Sequence, residues 1–290
     1  MIRSISIALF LFWALMLPAQ QISGGFKAGL NFSTFRGPVE MDDNGRDLET
    51  FKTNTGFHIG AAFRLAVTEY FGLRAELLYS QKGGVYSYEG PSFWTFTNTS
   101  NPVYTVGNRV TTIKINNSYM ELPLMAYVRV GRIELSGGIN AALLLGSRGI
   151  GDLTYSGGTT QSGANIETFT LALDYGYLRD VFGQFNTFEH HMLEVGNTTL
   201  EVPKNIGAYF EGVDNDENLF RRTDLGLNAG IAFFLNKGLY LGFRANFGLS
   251  DLTKTEQDFS RFKLDAENNL ILREDKDKNL SFQASIGFSL

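Results

Sequence analysis

"LYLGFRANFGLSDL" (239–252) is the stretch whose reading decides the fold. Leu239, Leu241, Phe243, Ala245, Phe247 and Leu249 share one parity; Tyr240, Gly242, Arg244, Asn246, Gly248 and Ser250 share the other. A period of two is the mark of a β-strand with one apolar and one polar face. The pattern leaves open which face meets the surroundings. In water Arg244 would point outward; in a bilayer the faces invert and the arginine is enclosed.

Seven further segments repeat the alternation, at 22–33, 55–66, 71–82, about 111–129, 133–145, 224–235 and 280–290. The connections 67–70, 130–132 and 236–238 are tight, whereas those at about 34–54, 83–110, 146–223 and 252–279 are long. Short turns at one end and long loops at the other give the layout of an outer-membrane barrel. Strands of this length suit a tilted crossing of a bilayer.

The polar faces choose the orientation. A water-facing surface is dense in Lys and Glu, but here the polar positions are mostly Gly, Ser and Asn with a few charges of both signs. The apolar faces carry Leu, Phe, Ile and Ala and essentially no charge, as a lipid-facing surface requires. Phe26, Phe32, Phe71 and Tyr79 fall near strand ends, where interfacial aromatic girdles form. The expected architecture is all-β: an eight-stranded antiparallel up-and-down transmembrane barrel of the OmpA/OmpX kind, with a ten-stranded alternative. Eight strands enclose a space that side chains fill, not a porin channel.

Enclosed charges must pair or be hydrated. The expected interior network has Lys27, Arg64, Arg74, Arg129 and Arg244 as bases, with Glu76, Glu121, Glu134 and Asp224 as acids. Filling and stapling the barrel is its expected role; a proton or ion path is the alternative.

The termini and composition bound the rest. Arg3, an apolar run from Ile5 to Leu17 and "PAQQ" have the layout of a secretory signal peptide, cleaved after Ala19 or Gln20. Residues 1–20 are set apart and 21–290 form the barrel domain. The chain of 290 residues has no cysteine, so no disulfide framework or thiolate metal site is expected. A net charge of −5 argues against a nucleic-acid partner.

"NNSYMELPLMAYVRVG" (116–131), "RRTDLGLNAGIAF" (221–233), "YLGFRANFGLSDL" (240–252) and "SFQASIGFSL" (281–290) resemble the PorT-type outer-membrane β-barrel family of Bacteroidota. Its Tyr-x-Glu-x-Pro strand maps onto Tyr119, Glu121 and Pro123, its Asp-x-Gly strand start onto Asp224 and Gly226, and its Gly-Leu step onto Gly248 and Leu249. "GFKAGLNFSTF" (25–35) fits the family's opening strand. The resemblance covers the eight strands but not the loops. It implies an outer-membrane location; the namesake's link to protein secretion does not transfer on strand patterns. Two departures are an enlarged third loop and a terminal Leu290 where such barrels commonly end in Phe.

The loops offer weaker signals. The third, from Ser147 to Arg221, carries eleven acids and four bases. Its "DNDEN" (214–218) invites a calcium reading but lacks EF-hand spacing, so a solvated run is expected. "EHHMLE" (189–194) lacks the spacing of a zinc helix. "GSRGIG" (146–151) is read as a loop opener, and "FTLALDYGYL" (169–178) as pairing with "GIGDLTYSG" (149–157) in a hairpin above the membrane. "SYEGPSFWTFTN" (87–98) is either a binding face or packing over the barrel mouth. His58 lies on a polar face with no nucleophile evident in register.

The expected function is that of an integral outer-membrane protein of a Gram-negative envelope with a plugged interior, displaying loops as a scaffold. Its partners are outer-membrane lipid and other envelope proteins met through the loops. It is expected to be no enzyme, with no cofactor and no metal. The alternatives are a small channel or transport accessory, and a secreted soluble ligand-binding β-barrel.

Overall fold

The computed structural model describes residues 21–96, 102–179, 189–195, 198–210, 217–255, 258–273 and 275–290. The proposed signal peptide lies outside them. Among the described residues there are fifteen strands: β1 Gln21–Arg36, β2 Glu49–Ala66, β3 Phe71–Phe96, β4 Val103–Val130, β5 Ile133–Thr160, β6 Asn165–Ile166, β7 Phe169–Gly176, β8 His190–Val195, β9 Thr198–Pro203, β10 Asn205–Ile206, β11 Thr223–Phe234, β12 Leu239–Gly248, β13 Phe259–Leu264, β14 Leu270–Leu272 and β15 Lys278–Ser289. No helix among the described residues is long and apolar enough to cross a membrane, which leaves crossing by strands untouched.

Eight of these strands pair antiparallel in the order β1, β2, β3, β4, β5, β11, β12, β15, and β15 pairs back with β1 to close a ring. Tight turns join β2 to β3, β4 to β5 and β11 to β12, and both ends of the ring sequence meet at the same rim, where the Leu290 amide donates to the Gly24 carbonyl. Gly131 occupies the β4–β5 turn at φ +60°, a left-handed conformation that a side chain disfavours.

The alternation resolves into an outside and an inside. On β12, Leu241, Phe243 and Phe247 are exposed, and Arg244 and Asn246 are buried. On β1, Ile22, Phe26, Leu30 and Phe32 are exposed while Lys27, Asn31 and Ser33 are buried. Every second residue from 22 to 32 takes ten steps of about 3.3 Å, and a tilt of about 35–45° projects that length to about 25 Å, the height of a lipid-facing band. An apolar belt on this scale cannot face water without driving association.

The belt's upper edge is written into single strands. Along β4 the exposed positions are Met120, Leu122, Leu124 and Val128 over buried Tyr119, Glu121 and Tyr127. Before Ser118 the order reverses: Thr112, Lys114 and Asn116 are exposed, and Ile113 and Ile115 are buried. On β5 exposed Leu143 and Leu145 give way to exposed Arg148 and Asp152 over buried Leu153 and Tyr155. Pairing slips by one residue at this edge, between Ser118 and Tyr119 against Gly146 and Leu144, a bulge that re-aims β5, whose outward residues change from odd to even numbers while those of β4 stay even.

Three expectations are thereby corrected. Segment 83–110 is not a loop: β3 and β4 pair without interruption from Gly83 against Asn116 to Phe96 against Val103. "GSRGIG" opens no loop and continues β5. Segment 252–279 contains the β13–β14 hairpin. Alternation persists along the upper parts of β4 and β5, but the outward residues turn polar and the inward ones apolar, so a search for one apolar face ends at the belt. β7 pairs with β5 from Arg148 against Gly176 to Tyr155 against Phe169, on the part of β5 that has left the ring.

Above the belt the inward residues of β3, β4, β5 and β7 converge with the segments after β7 in one apolar core. Trp94 is ringed by Phe169 at 5.2 Å, Phe210 at 5.9 Å and Tyr155 at 6.2 Å. Phe93, Trp94 and Phe96 are buried, so the aromatics of "SYEGPSFWTFTN" pack the apical unit, which settles the two readings in favour of packing.

Candidate functional site

The first candidate is the lumen. Glu76 on β3 gathers three cations: Arg244 Nη1 at 2.7 Å from Oε2, Lys27 Nζ at 3.2 Å from Oε2, and Arg74 Nη1 at 3.6 Å from Oε1. Glu134 on β5 takes Arg64 Nη2 at 2.8 Å and also pairs with Arg74. Gln283 Oε1 receives Arg244 Nε at 2.8 Å, which fixes the guanidinium in the plane that reaches Glu76. All these groups are buried, so each charge is held by partners in place of water. A cavity of about 20 Å³ beside Lys27, Arg74 and Arg244 has room for one water.

At the turn end the lumen is closed by rings. The Arg64 guanidinium lies 4.9 Å from the Phe234 ring centre, 5.4 Å from Tyr127 and 5.6 Å from Tyr240. Tyr127 and Tyr240 fit because Gly72 and Gly287 are their cross-strand partners; a Cβ at Gly287 would run into the Tyr240 ring. At the opposite end Lys82 pairs with Glu121 and donates to Asn246 Oδ1 at 3.0 Å. There Asn279 Nδ2 donates to Asp224 Oδ2 at 2.9 Å and to the Tyr119 hydroxyl at 3.2 Å.

Of the interior charges expected from sequence, Lys27, Arg64, Arg74, Arg244, Glu76 and Glu134 form this one connected cluster. Glu121 pairs instead with Lys82, a residue on the same polar face of β3 that the sequence reading left out of the network. Asp224 is held by Asn279. Arg129 stands apart: it is half-buried at the rim, 3.7 Å from the Phe234 ring centre, and donates to the Gly131 carbonyl at 3.3 Å. Its place near the β4–β5 turn puts it within reach of water, so it needs no carboxylate.

His58 requires a correction. Its Nε2 lies 2.9 Å from Ser285 Oγ and its Nδ1 lies 2.7 Å from Asn31 Oδ1, so a serine stands in register after all. The sequence hides it because Ser285 arrives from β15, across the closure strand β1. A Ser-His-Asn line is the geometry of an activated nucleophile. All three residues are buried inside the ring, and the cavity at Ser285 is the one of about 20 Å³, too small for an acyl substrate. The arrangement acts as a hydrogen-bonded filler.

The second candidate is apical. A cavity of about 150 Å³ lies above Lys82, between β2, β3, β4, β7, β13 and the segment that leads into β15. Its polar edge includes Glu49, whose Oε1 accepts from the Tyr86 hydroxyl at 2.8 Å and from Arg273 Nη1 at 2.9 Å. Arg273 Nη2 pairs with Asp275 at 2.6 Å. Burial and the neighbouring Asp275 push the Asp258 carboxyl well above the usual carboxylate range. Burial, with Asp275 and Glu49 nearby, pushes Asp277 up to about 7. No sequence signal marked this edge, because its members come from β2, β13 and the strand-poor segments around 258 and 277.

The remaining loop signals scatter. His191 Nε2 meets the Thr170 carbonyl at 2.9 Å, Glu189 pairs with Lys204 at 3.5 Å, and Glu194 accepts from Thr199 at 3.0 Å. Of "DNDEN", residues 214–216 lie outside the described residues, and Glu217 pairs with Lys254 at 2.7 Å.

Several solved structures and one family are similar to this chain. The chain is similar to Ail of Yersinia pestis at 11% identity, covering 92% of this chain and 98% of that one with a TM-score of 0.34. It is similar to the neisserial surface protein A at 10% identity, covering 93% and 99% with a TM-score of 0.32. It is similar to OprG of Pseudomonas aeruginosa at 8% identity, covering 93% and 98% with a TM-score of 0.32. At such scores these likenesses carry no conclusion. The curated proteins contain no match. The family of the outer membrane protein beta-barrel domain matches residues 18–254, from before β1 through β12, and this chain belongs to that outer-membrane family.

Proposed function

We propose that the protein is an eight-stranded transmembrane barrel whose lumen is sealed, and that it serves the cell envelope as a rigid scaffold displaying an apical β-domain. One observation carries this reading: the lumen is filled at three levels. Arg64 among Tyr127, Phe234 and Tyr240 closes the turn end, Glu76 and Glu134 with their cations fill the middle, and Lys82 with Glu121 lies beneath the aromatic core. The PorT-type motifs, the Bacteroidota origin and cleavage of residues 1–20 belong to the same proposal. So do contacts with outer-membrane lipid along the belt and with other envelope proteins through the apical domain. No catalytic role is assigned, and the enclosure of His58 supports that.

The test is conductance of the purified protein in planar bilayers, with a heat-dependent shift in gel mobility as the check that it is folded. Folded protein without current steps is the expected result. Reproducible steps would favour the small channel instead.

A further inference from the structure

Just above the belt, the outward faces of five neighbouring strands, β15, β1, β2, β3 and β4, collect positive charge. Lys278, Arg36, Lys52 and Lys114 all take the outward parity; Lys278 is half-buried and the other three are exposed. Arg36 and Lys278 stand directly opposite each other across β1 and β15. Lys52 and Lys114 flank Val85 in one cross-strand row, two strand spacings or about 10 Å apart. None of the four has an ion pair or a side-chain hydrogen bond among the described residues. The first outward acid above the belt on these strands is Glu89, four residues past Val85; Glu49 and Asp277 line the apical cavity instead. The arc ends at β5, where Arg148 pairs with Asp174 at 2.6 Å and exposed Asp152 follows. In a chain of net charge −5 this arc runs against the composition. Like charges directly opposed on two strands also weaken the pairing, so Arg36 beside Lys278 is a cost unless an anion lies between them.

Height says what that anion is. Arg36 and Lys278 lie four residues beyond Phe32 and Phe282, Lys52 five beyond Phe57, and Lys114 six beyond Met120, each the uppermost belt residue of its strand. At about 3.3 Å per residue and a tilt of about 35–45°, those offsets rise about 10–15 Å above the belt. Tyr79 marks the boundary, its ring 5.8 Å from Phe57 and its hydroxyl donating to Ser118 Oγ at 2.9 Å. Long stems let the charged heads bend back towards the headgroup layer, which is about 5–8 Å deep in each leaflet. β3 and β4 continue above the arc to Phe96 and Val103, so the arc faces the membrane's edge and not the distal surface.

We propose that this arc binds phosphate-bearing lipid headgroups of the outer leaflet, with one phosphate bridging Arg36 and Lys278 and the patch extended along the wall by Lys52 and Lys114. Charge-assisted bonds from a guanidinium and an ammonium to one phosphate would turn the opposed cations into a site. The inference rests on the barrel reading above.

The full chain, reconstituted in phosphatidylcholine vesicles, tests it with traces of phosphatidic acid or phosphatidylcholine carrying the same nitroxide on the acyl chain. A motionally restricted spectral component reports lipid against the barrel, and its size with each headgroup reports preference. Phosphatidic acid should be favoured about fivefold, the order set by one basic residue near a charged lipid surface. The preference should vanish in about 1 M salt, where screening shortens the reach of a charge to about 3 Å. Arg36→Gln with Lys278→Gln should remove most of it. Arg46→Gln with Lys263→Gln, the same charge change at exposed cations paired with Asp42 and Asp43, should leave it intact. In detergent without anionic lipid the Arg36/Lys278 double variant should be at least as stable to urea as the parent. Restricted lipid with equal preference for the two headgroups would overturn the inference, as would equal losses in both double variants or no loss in the first. Absence of any restricted component would instead overturn the barrel reading itself.

Discussion

Arg244 on β12 and Glu76 on β3 stand opposite each other in the ring, four strands apart in either direction, and meet with Nη1 2.7 Å from Oε2. The contact spans the lumen. Lys27 from β1 joins the same carboxylate, so one acid ties three separate strands of the wall together.

Glu76→Gln should therefore be among the most damaging single changes inside the ring. It leaves Arg244, Lys27 and Arg74 enclosed with one formal anion fewer, and removing one partner of a buried pair costs about 3–5 kcal/mol. The urea midpoint of the detergent-folded protein should drop accordingly. Adding Arg244→Met to Glu76→Gln should recover part of the loss, because it removes one of the stranded cations.

Substitutions on β12 should divide by parity. Phe243→Arg places a charge on the exposed belt and should cost about 2–4 kcal/mol if it lies near the bilayer midplane. Asn246→Asp puts a carboxylate beside Lys82 Nζ, now 3.0 Å from Asn246 Oδ1, and should assemble nearly as well as the parent. The fraction of heat-shifted protein recovered from membranes reads both.

The apical domain should loosen as pH rises. Asp277 and Asp258 have folded-state values raised above the ordinary carboxylate value, so the folded form holds protons that the unfolded form releases. Their contribution is fully present below about pH 4 and is lost as pH climbs through about 7 for Asp277 and higher for Asp258. Hydrogen-exchange protection across 259–277, corrected for the intrinsic pH dependence of amide exchange, should be higher at pH 5 than at pH 9, with protection in β12 unchanged.

Ser285→Ala should reveal a structural residue. It removes the partner of His58 Nε2 and should cost about 1 kcal/mol of stability, read from the urea midpoint of the detergent-folded protein. Labelling of the parent protein at Ser285 by a fluorophosphonate would contradict the filler role.

The belt was legible in the sequence because lipid imposes one rule on every outward position, as Leu241, Phe243 and Phe247 illustrate. The charged interior followed, since a few charges on otherwise small polar faces have nowhere else to go. The pairing was not legible. Glu76, Glu121, Glu134 and Asp224 were equivalent candidates for Arg244 until the register of four intervening pairings fixed which one it meets. The upper halves of β3, β4 and β5 were missed for a different reason. Lys114 and Asn116 face water there and Ile113 and Ile115 face a core, the opposite assignment from Leu122 and Glu121 further along the same strand. A strand that passes from lipid to water keeps its period and exchanges the meaning of its faces.

The most direct measurement is a spin-label scan of β12. The chain has no cysteine of its own, so single cysteines from 239 to 248 can be labelled one at a time in reconstituted protein. Collision with oxygen, which concentrates in lipid, should peak at 241, 243, 245 and 247. Labels at 244 and 246 should be shielded from both oxygen and a water-soluble relaxant. Access of the water-soluble relaxant to 241, 243 and 247 would contradict the account.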